Sequence, residues 1–117
     1  MNFEFDDNKP IYKQLVEQLK IAIITNVYKS GEKLPSVREY ALLLRVNPNT
    51  INRALLELEE DKLIITKRTS GKFVTDDKKI IEKAKKELAK ETIDKFMTDM
   101  KKLNISKKEV IELIKGE

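Results

Sequence analysis

Apolar residues recur along this chain at two different periods, and each period marks a kind of element. From Pro10 to Val27, the residues Ile11, Leu15, Leu19, Ala22 and Ile23 fall on one side of a 3.6-residue repeat. That predicts an amphipathic helix with Pro10 in its first turn and Asn8 as its cap, closed by Ser30-Gly31. After Leu34-Pro35, Ser36 and Glu39 stand at the spacing of a capping box, in which the hydroxyl accepts from the amide of Glu39 and the carboxylate reaches back. The helix they open turns Val37, Tyr40, Ala41 and Leu44 inward. Only Arg45 and Val46 separate it from Asn47-Pro48, a cap followed by a proline at the first helical position, where its missing amide hydrogen costs nothing. A third helix runs from there to about Asp61, with Ile51, Ala54, Leu55 and Leu58 on one buried face.

The period then shortens. Leu63 to Thr66 and Lys72 to Thr75 alternate as strands do, around Lys67-Arg68-Thr69-Ser70-Gly71, which predicts a hairpin with a basic tip. From Asp76 onward Lys- and Glu-rich helix formers take over, with no Gly or Pro until Gly116, and Asp76 or Asp77 caps the entry of a long helix ending near Leu103. Its apolar positions Ile81, Ala84, Leu88, Ile93, Phe96, Met97, Met100 and Leu103 widen into a broad stripe. Asn104-Ile105 breaks the helix. Ser106 and Glu109 form a second capping box, opening a short last helix that offers Val110, Ile111, Leu113 and Ile114. The expected fold is mainly α (α+β): a winged helix-turn-helix over 1–75 and a short two-helix tail over 76–117.

Two short helices joined by a tight turn make a helix-turn-helix when the second exposes polar groups near its N-terminus. Here those groups are Asn49, Thr50, Asn52 and Arg53, opposite the apolar face, and the hairpin is the wing. Charge sharpens the picture more by its placement than by its total of +4. Residues 1–30 balance four lysines against four acids, while 31–75 carry eight basic and six acidic residues. All four arginines, Arg38, Arg45, Arg53 and Arg68, lie in that middle segment. Arginine's planar fork suits bidentate contact with phosphate and guanine.

The composition also excludes chemistry. Without cysteine there are no disulfides or thiolate metal sites, and without histidine the commonest metal ligand and general base are gone. No metal site and no cofactor is expected, and the acidic run Glu57, Glu59, Glu60, Asp61 reads as solvated helix surface. At 117 residues the expectation is one compact core with an appendage and no second full domain. No apolar run approaches the roughly 18 residues that span a bilayer, and MNFEFDDNKP has neither the basic start nor the apolar stretch of a secretion signal. The expected location is the cytoplasm, away from membranes.

The string LPSVREYALLLRVNPNTINRALLELEEDKLIITKRTSGKFV resembles the N-terminal domain of the GntR family of bacterial regulators, and the two-helix tail looks like that of its YtrA subfamily. The resemblance covers residues 10 to about 76. It rests on Leu34-Pro35-Ser36-x-Arg38, Val46-Asn47-Pro48-Asn49-Thr50, Arg53-Ala54-Leu55-x-x-Leu58 and the wing ending Gly71-x-Phe73-Val74. Two departures are visible: Thr69-Ser70-Gly71 where the family usually has a G-x-G, and Asn52 where many relatives place an arginine.

The resemblance implies a transcriptional regulator whose partner is double-stranded DNA. The expected DNA-binding set is Ser36, Arg38, Asn47, Asn49, Thr50, Asn52, Arg53, Lys67, Arg68, Ser70, Gly71 and Lys72. For Arg38, in the first turn of a helix whose dipole disfavours a cation, the competing role is an ion pair with Glu39 or Asp61. A helix of some 25 residues and one of about 10 cannot enclose their own stripe. The tail is therefore expected to dimerise the chain through Leu88, Ile93, Phe96, Met97, Met100, Leu103, Val110, Ile111 and Ile114. A homodimer would seek an inverted-repeat operator, with repression the usual consequence. A small-molecule effector, its identity unknown, would have to use the tail or the dimer interface. Two other classes stay open: a winged-helix protein-protein interaction module without DNA binding, which calls for an acidic or apolar third helix, and a small enzyme, for which Ser36, Ser70 and Ser106 have no histidine partner.

Overall fold

Proline rather than asparagine sets the start of the first helix. α1 (Ile11–Ile24) has Pro10 at its capping position and no side-chain cap, so the role expected of Asn8 is corrected: its backbone N–H donates instead to Asp6 Oδ1 at 2.9 Å, within the preceding turn. The structure, a computed structural model, describes residues 2–116. After α1 come α2 (Val37–Leu44), α3 (Pro48–Glu60), β1 (Ile64–Lys67), β2 (Gly71–Val74), α4 (Lys78–Lys102) and α5 (Lys107–Lys115), a mainly helical winged helix-turn-helix with two further helices. α1 stops short of Val27 because the Thr25 N–H and hydroxyl both return to the Ile21 carbonyl and Asn26 turns left-handed at φ 64°.

The helix-turn-helix follows its local signals closely. Both halves of the Ser36–Glu39 capping box are present, and α2 ends where Arg45 enters the left-handed region at φ 55°. Asn47 Oδ1 accepts from the Asn49 N–H at 2.8 Å, and Pro48 occupies the first turn of α3. α3 packs against both α1 and α2. Ile51, Ala54, Leu55 and Leu58 are fully buried, together with Leu15 and Leu19 of α1 and Leu63. Emptying one such leucine site costs about 2 to 5 kcal/mol. Tyr40 brings a hydroxyl into this core and donates it to the Tyr28 hydroxyl at 3.0 Å. Burial, reinforced by that bond, pushes the Tyr40 phenol far above its ordinary range, so it stays neutral.

The hairpin is antiparallel, pairing Ile64 with Val74 and Lys67 with Gly71. Its strands are shifted from the expected Leu63–Thr66 and Lys72–Thr75. Lys62, left-handed at φ 62°, turns the chain just before Leu63, whose N–H still closes on the Leu58 carbonyl at 3.0 Å. Leu63 is thus core rather than strand. The sheet also gains an edge that periodicity does not reveal. Lys33 bridges to Phe73, the Leu34 N–H donates to the Lys72 carbonyl and the Val74 N–H to the Glu32 carbonyl, each at 2.9 Å.

Equally unannounced is the docking of the N-terminal segment. Gln14 makes a two-way bond with the Asp6 backbone, both legs 2.7 Å, and Gln18 Nε2 donates to the Glu4 carbonyl at 2.7 Å. These bonds hold Phe3 and Phe5 against the core, with Phe3 edge-on to Tyr40.

The chain divides into two compact units between Ala84 and Lys85. α4 begins in the first, where Ile80, Ile81 and Ala84 pack on the core, and Asp77 Oδ1 caps it by accepting from the Lys79 N–H at 2.9 Å. In the second unit, Asn104 reverses the chain at φ 56° and the Ser106–Glu109 capping box opens α5. Among the described residues no helix is long and apolar enough to cross a membrane.

Candidate nucleic-acid interface

The exposed side of α3 divides along its length. Its first turns present Asn49, Asn52 and Arg53, with Thr50 half-buried, and its last turns present Leu56, Glu57 and Glu60. Only the N-terminal half therefore offers amide and guanidinium groups suited to base edges or phosphate. Among the described residues the side chains of Asn49 and Asn52 make no hydrogen bond. Arg53 is held differently: its guanidinium carbon stands 3.7 Å from the centroid of the Tyr12 ring, on α1.

In α2, Ser36 is exposed but its hydroxyl is occupied by the Glu39 amide at 3.1 Å. Arg38 is exposed and, among the described residues, has no ion pair. Neither competing partner takes it. Glu39 returns to the Ser36 N–H at 3.2 Å, and Asp61 pairs with Lys20 at 3.5 Å. Asn47 likewise spends its side-chain oxygen as a cap, and its side-chain amide donates no hydrogen bond among the described residues.

The wing carries exposed Arg68 and Ser70 at its tip. Lys67 lies with its ammonium 4.5 Å from the centroid of the Phe73 ring. Gly71 adopts φ 110°, a conformation that side chains rarely allow, so the backbone calls for glycine there; a Cβ would stand 3.2 Å from the flexible end of the Lys33 side chain. Lys72, expected at the DNA, also has a partner inside the protein. Its ammonium binds the Glu59 carboxylate and lies 3.1 Å from Thr66 Oγ1, while the Thr66 hydroxyl donates to the same carboxylate. Burial raises the Glu59 pKa, but the bonds from Lys72 and Thr66 outweigh it and hold the carboxyl below its ordinary range. Lys72 thus anchors the wing to α3, and Glu59 is not the solvated surface group its neighbours suggest.

The tail was expected to show one apolar face. Ile93, Phe96, Leu103, Ile111 and Ile114 are exposed, and Leu88, Met97 and Met100 are half-buried. Val110, at 5% exposure, is already buried in the single chain, while Leu113, outside the expected set, is exposed.

The family of bacterial regulatory proteins described as gntR matches residues 11–74, from the start of α1 to the end of β2. The chain belongs to the GntR family. A GntR-family transcriptional regulator from Listeria monocytogenes has the same architecture, with a TM-score of 0.87 and 47% identity over 97% of this chain and 99% of that one. The HTH-type transcriptional regulator YhcF of Bacillus subtilis is 37% identical over 98% of this chain and 95% of its own length. The HTH-type transcriptional repressor YtrA of the same organism is 41% identical over 60% of this chain, which spans about half of that protein (54%). A more distant structure, the AraR DNA-binding domain in complex with operator ORR3, gives a TM-score of 0.54 at 25% identity over 64% of this chain and 88% of that one. This GntR-family chain is therefore a DNA-binding transcriptional regulator.

Within it, two supporting groups escape the periodic pattern. Tyr12 lies off the apolar stripe of α1, and an aromatic residue just outside a buried face is the one signal that marks it. Glu59 is masked by the three acids beside it.

Proposed function

We propose that this GntR-family chain is a repressor that binds an inverted-repeat operator as a homodimer, each copy laying the N-terminal half of α3 in the major groove. The observation that carries this reading is the exposed, uncommitted amide pair Asn49 and Asn52 on the first turns of α3, together with the exposed Arg38 in the first turn of α2. Asn47, Thr50 and Arg53 complete the reading surface, and Arg68, Ser70, Gly71 and Lys67 meet the backbone or minor groove from the wing. Lys and Arg contacts to phosphate release counterions and set affinity, while the α3 amides set base preference. One such helix reads few base pairs, so a two-fold assembly is needed for a selective site.

The tail supplies the second copy through Ile93, Phe96, Leu103, Ile111 and Ile114, flanked by Leu88, Met97 and Met100. Repression is carried over from the relative named as a repressor, and operator binding agrees with the domain solved on its operator. The setting is the cytoplasm, and the role is non-enzymatic.

Selection of bound sites from random duplexes by the full-length chain tests the proposal. The expected result is an inverted repeat with half-sites about 34 Å apart or a multiple of it. Equal binding to random and selected duplexes overturns it.

A further inference from the structure

Arg53 is the one arginine of the reading surface that the fold grips before any ligand arrives. Its guanidinium carbon lies 3.7 Å from the centre of the Tyr12 ring, a separation that places the cation in contact with the ring face. Tyr12 itself is half-buried on α1, and α1 packs directly on α3, so the helix that carries the ring is held against the recognition helix. A guanidinium resting on an aromatic face keeps its N–H donors at its edges, free to point away in the plane of the group. A loose arginine loses rotamer freedom when it forms a forked contact, and a stacked one has surrendered much of it already.

We propose that Tyr12 is a positioning residue for DNA recognition: its ring holds the Arg53 guanidinium as a preset fork for a pair of acceptor atoms on the duplex. This rests on the reading of α3 as the DNA-contacting helix. The acceptors are either the two on the major-groove edge of guanine or two phosphate oxygens, which offer the same paired geometry. Tyr12 acts through its ring rather than its hydroxyl, which makes no hydrogen bond among the described residues.

The test is a double-mutant cycle on the selected operator, with full-length Tyr12→Phe, Tyr12→Leu, Arg53→Ala and the Tyr12→Leu/Arg53→Ala pair. Thermal unfolding and circular dichroism of each variant accompany the binding titrations. Tyr12→Phe should bind within about twofold of wild type, because the π face is kept. Tyr12→Leu should lose about threefold to tenfold, the range of the side-chain ordering cost that a preset arginine avoids on binding. In the Arg53→Ala background Tyr12→Leu should cost nothing further, an outcome that general destabilisation would not produce. Equal losses in Tyr12→Phe and Tyr12→Leu would assign the effect to the hydroxyl and overturn the proposal. So would a Tyr12→Leu loss that persists unchanged without Arg53. Failure of the underlying reading looks different: either wild type does not select an operator, or Arg53→Ala binds as wild type does. Repeating the titrations on operators substituted at single base pairs separates the acceptors. Guanine predicts relaxed preference at one position in both Tyr12→Leu and Arg53→Ala, and phosphate predicts an even loss across all positions with a shallower salt dependence.

Discussion

Among the described residues, the side chains of Arg38, Asn49 and Asn52 are exposed and make no hydrogen bond or ion pair. Because Arg38 has no ion pair among the described residues, its truncation should leave the core untouched. Arg38→Ala is expected to weaken operator binding by about 1 to 3 kcal/mol if its contact is bidentate, with an unchanged thermal midpoint. Fluorescence anisotropy beside a thermal melt checks both halves of that statement. Glu59 is the opposite case, a residue with all its work inside. Its carboxyl is held below the ordinary range in the folded chain, so it binds fewer protons folded than unfolded at mildly acidic pH. Its contribution is fully present above the unfolded pKa of about 4.3 and is lost as pH falls through the lower folded value. Glu59→Gln should therefore flatten the decline of stability below about pH 5, measured by urea unfolding at each pH.

At the scale of elements, the wing tip is expected to act on affinity more than on sequence choice. Arg68→Ala should lower binding evenly across operators and reduce the slope of log affinity against log salt by about one contact. How far each element could be read from sequence depended on where its determinants lay. α2, α3 and α5 carry theirs within one turn, in the boxes Ser36–Glu39 and Ser106–Glu109 and the pair Asn47-Pro48, so their starts were legible. α1 was misjudged at its N-terminus because Asn8, a residue type that often caps, is turned back toward Asp6. The strands moved by one residue because the left-handed turn at Lys62 is set by the close of α3, which no alternation of apolar residues encodes. Long-range partners were invisible for the same reason. Nothing near Gln14 in the chain shows that it will clasp Asp6, nor does the sequence around Lys33 reveal that it will border Phe73. The reading surface itself was legible, since exposed polar residues opposite a buried face need only the helical period. The partners of Lys72 and Arg53 needed the tertiary fold.

For the whole molecule, the consequential boundary is the one between Ala84 and Lys85. A fragment ending at Thr75 discards Ile80, Ile81 and Ala84 from the first core, so it should unfold at a lower temperature than a fragment ending at Ala84. The 1–84 fragment should be monomeric and bind operators about 10² to 10⁴ less tightly than the full chain, because its second contact is no longer intramolecular. Phe96→Asp tests the tail without shortening it: a carboxylate placed in the proposed interface should dissociate the dimer in light scattering while the 1–84 region melts as before. The Glu59 tie bears on kinetics as well. One carboxylate grips Thr66 of β1 and Lys72 of β2, so the recognition helix and the hairpin present themselves to a duplex as a single preformed body. Such a body docks in one step, with little ordering left to do after first encounter. Loosening the tie would leave the charge-guided arrival rate nearly intact and shorten the residence time, so that a regulator otherwise unchanged in shape would leave its duplex sooner.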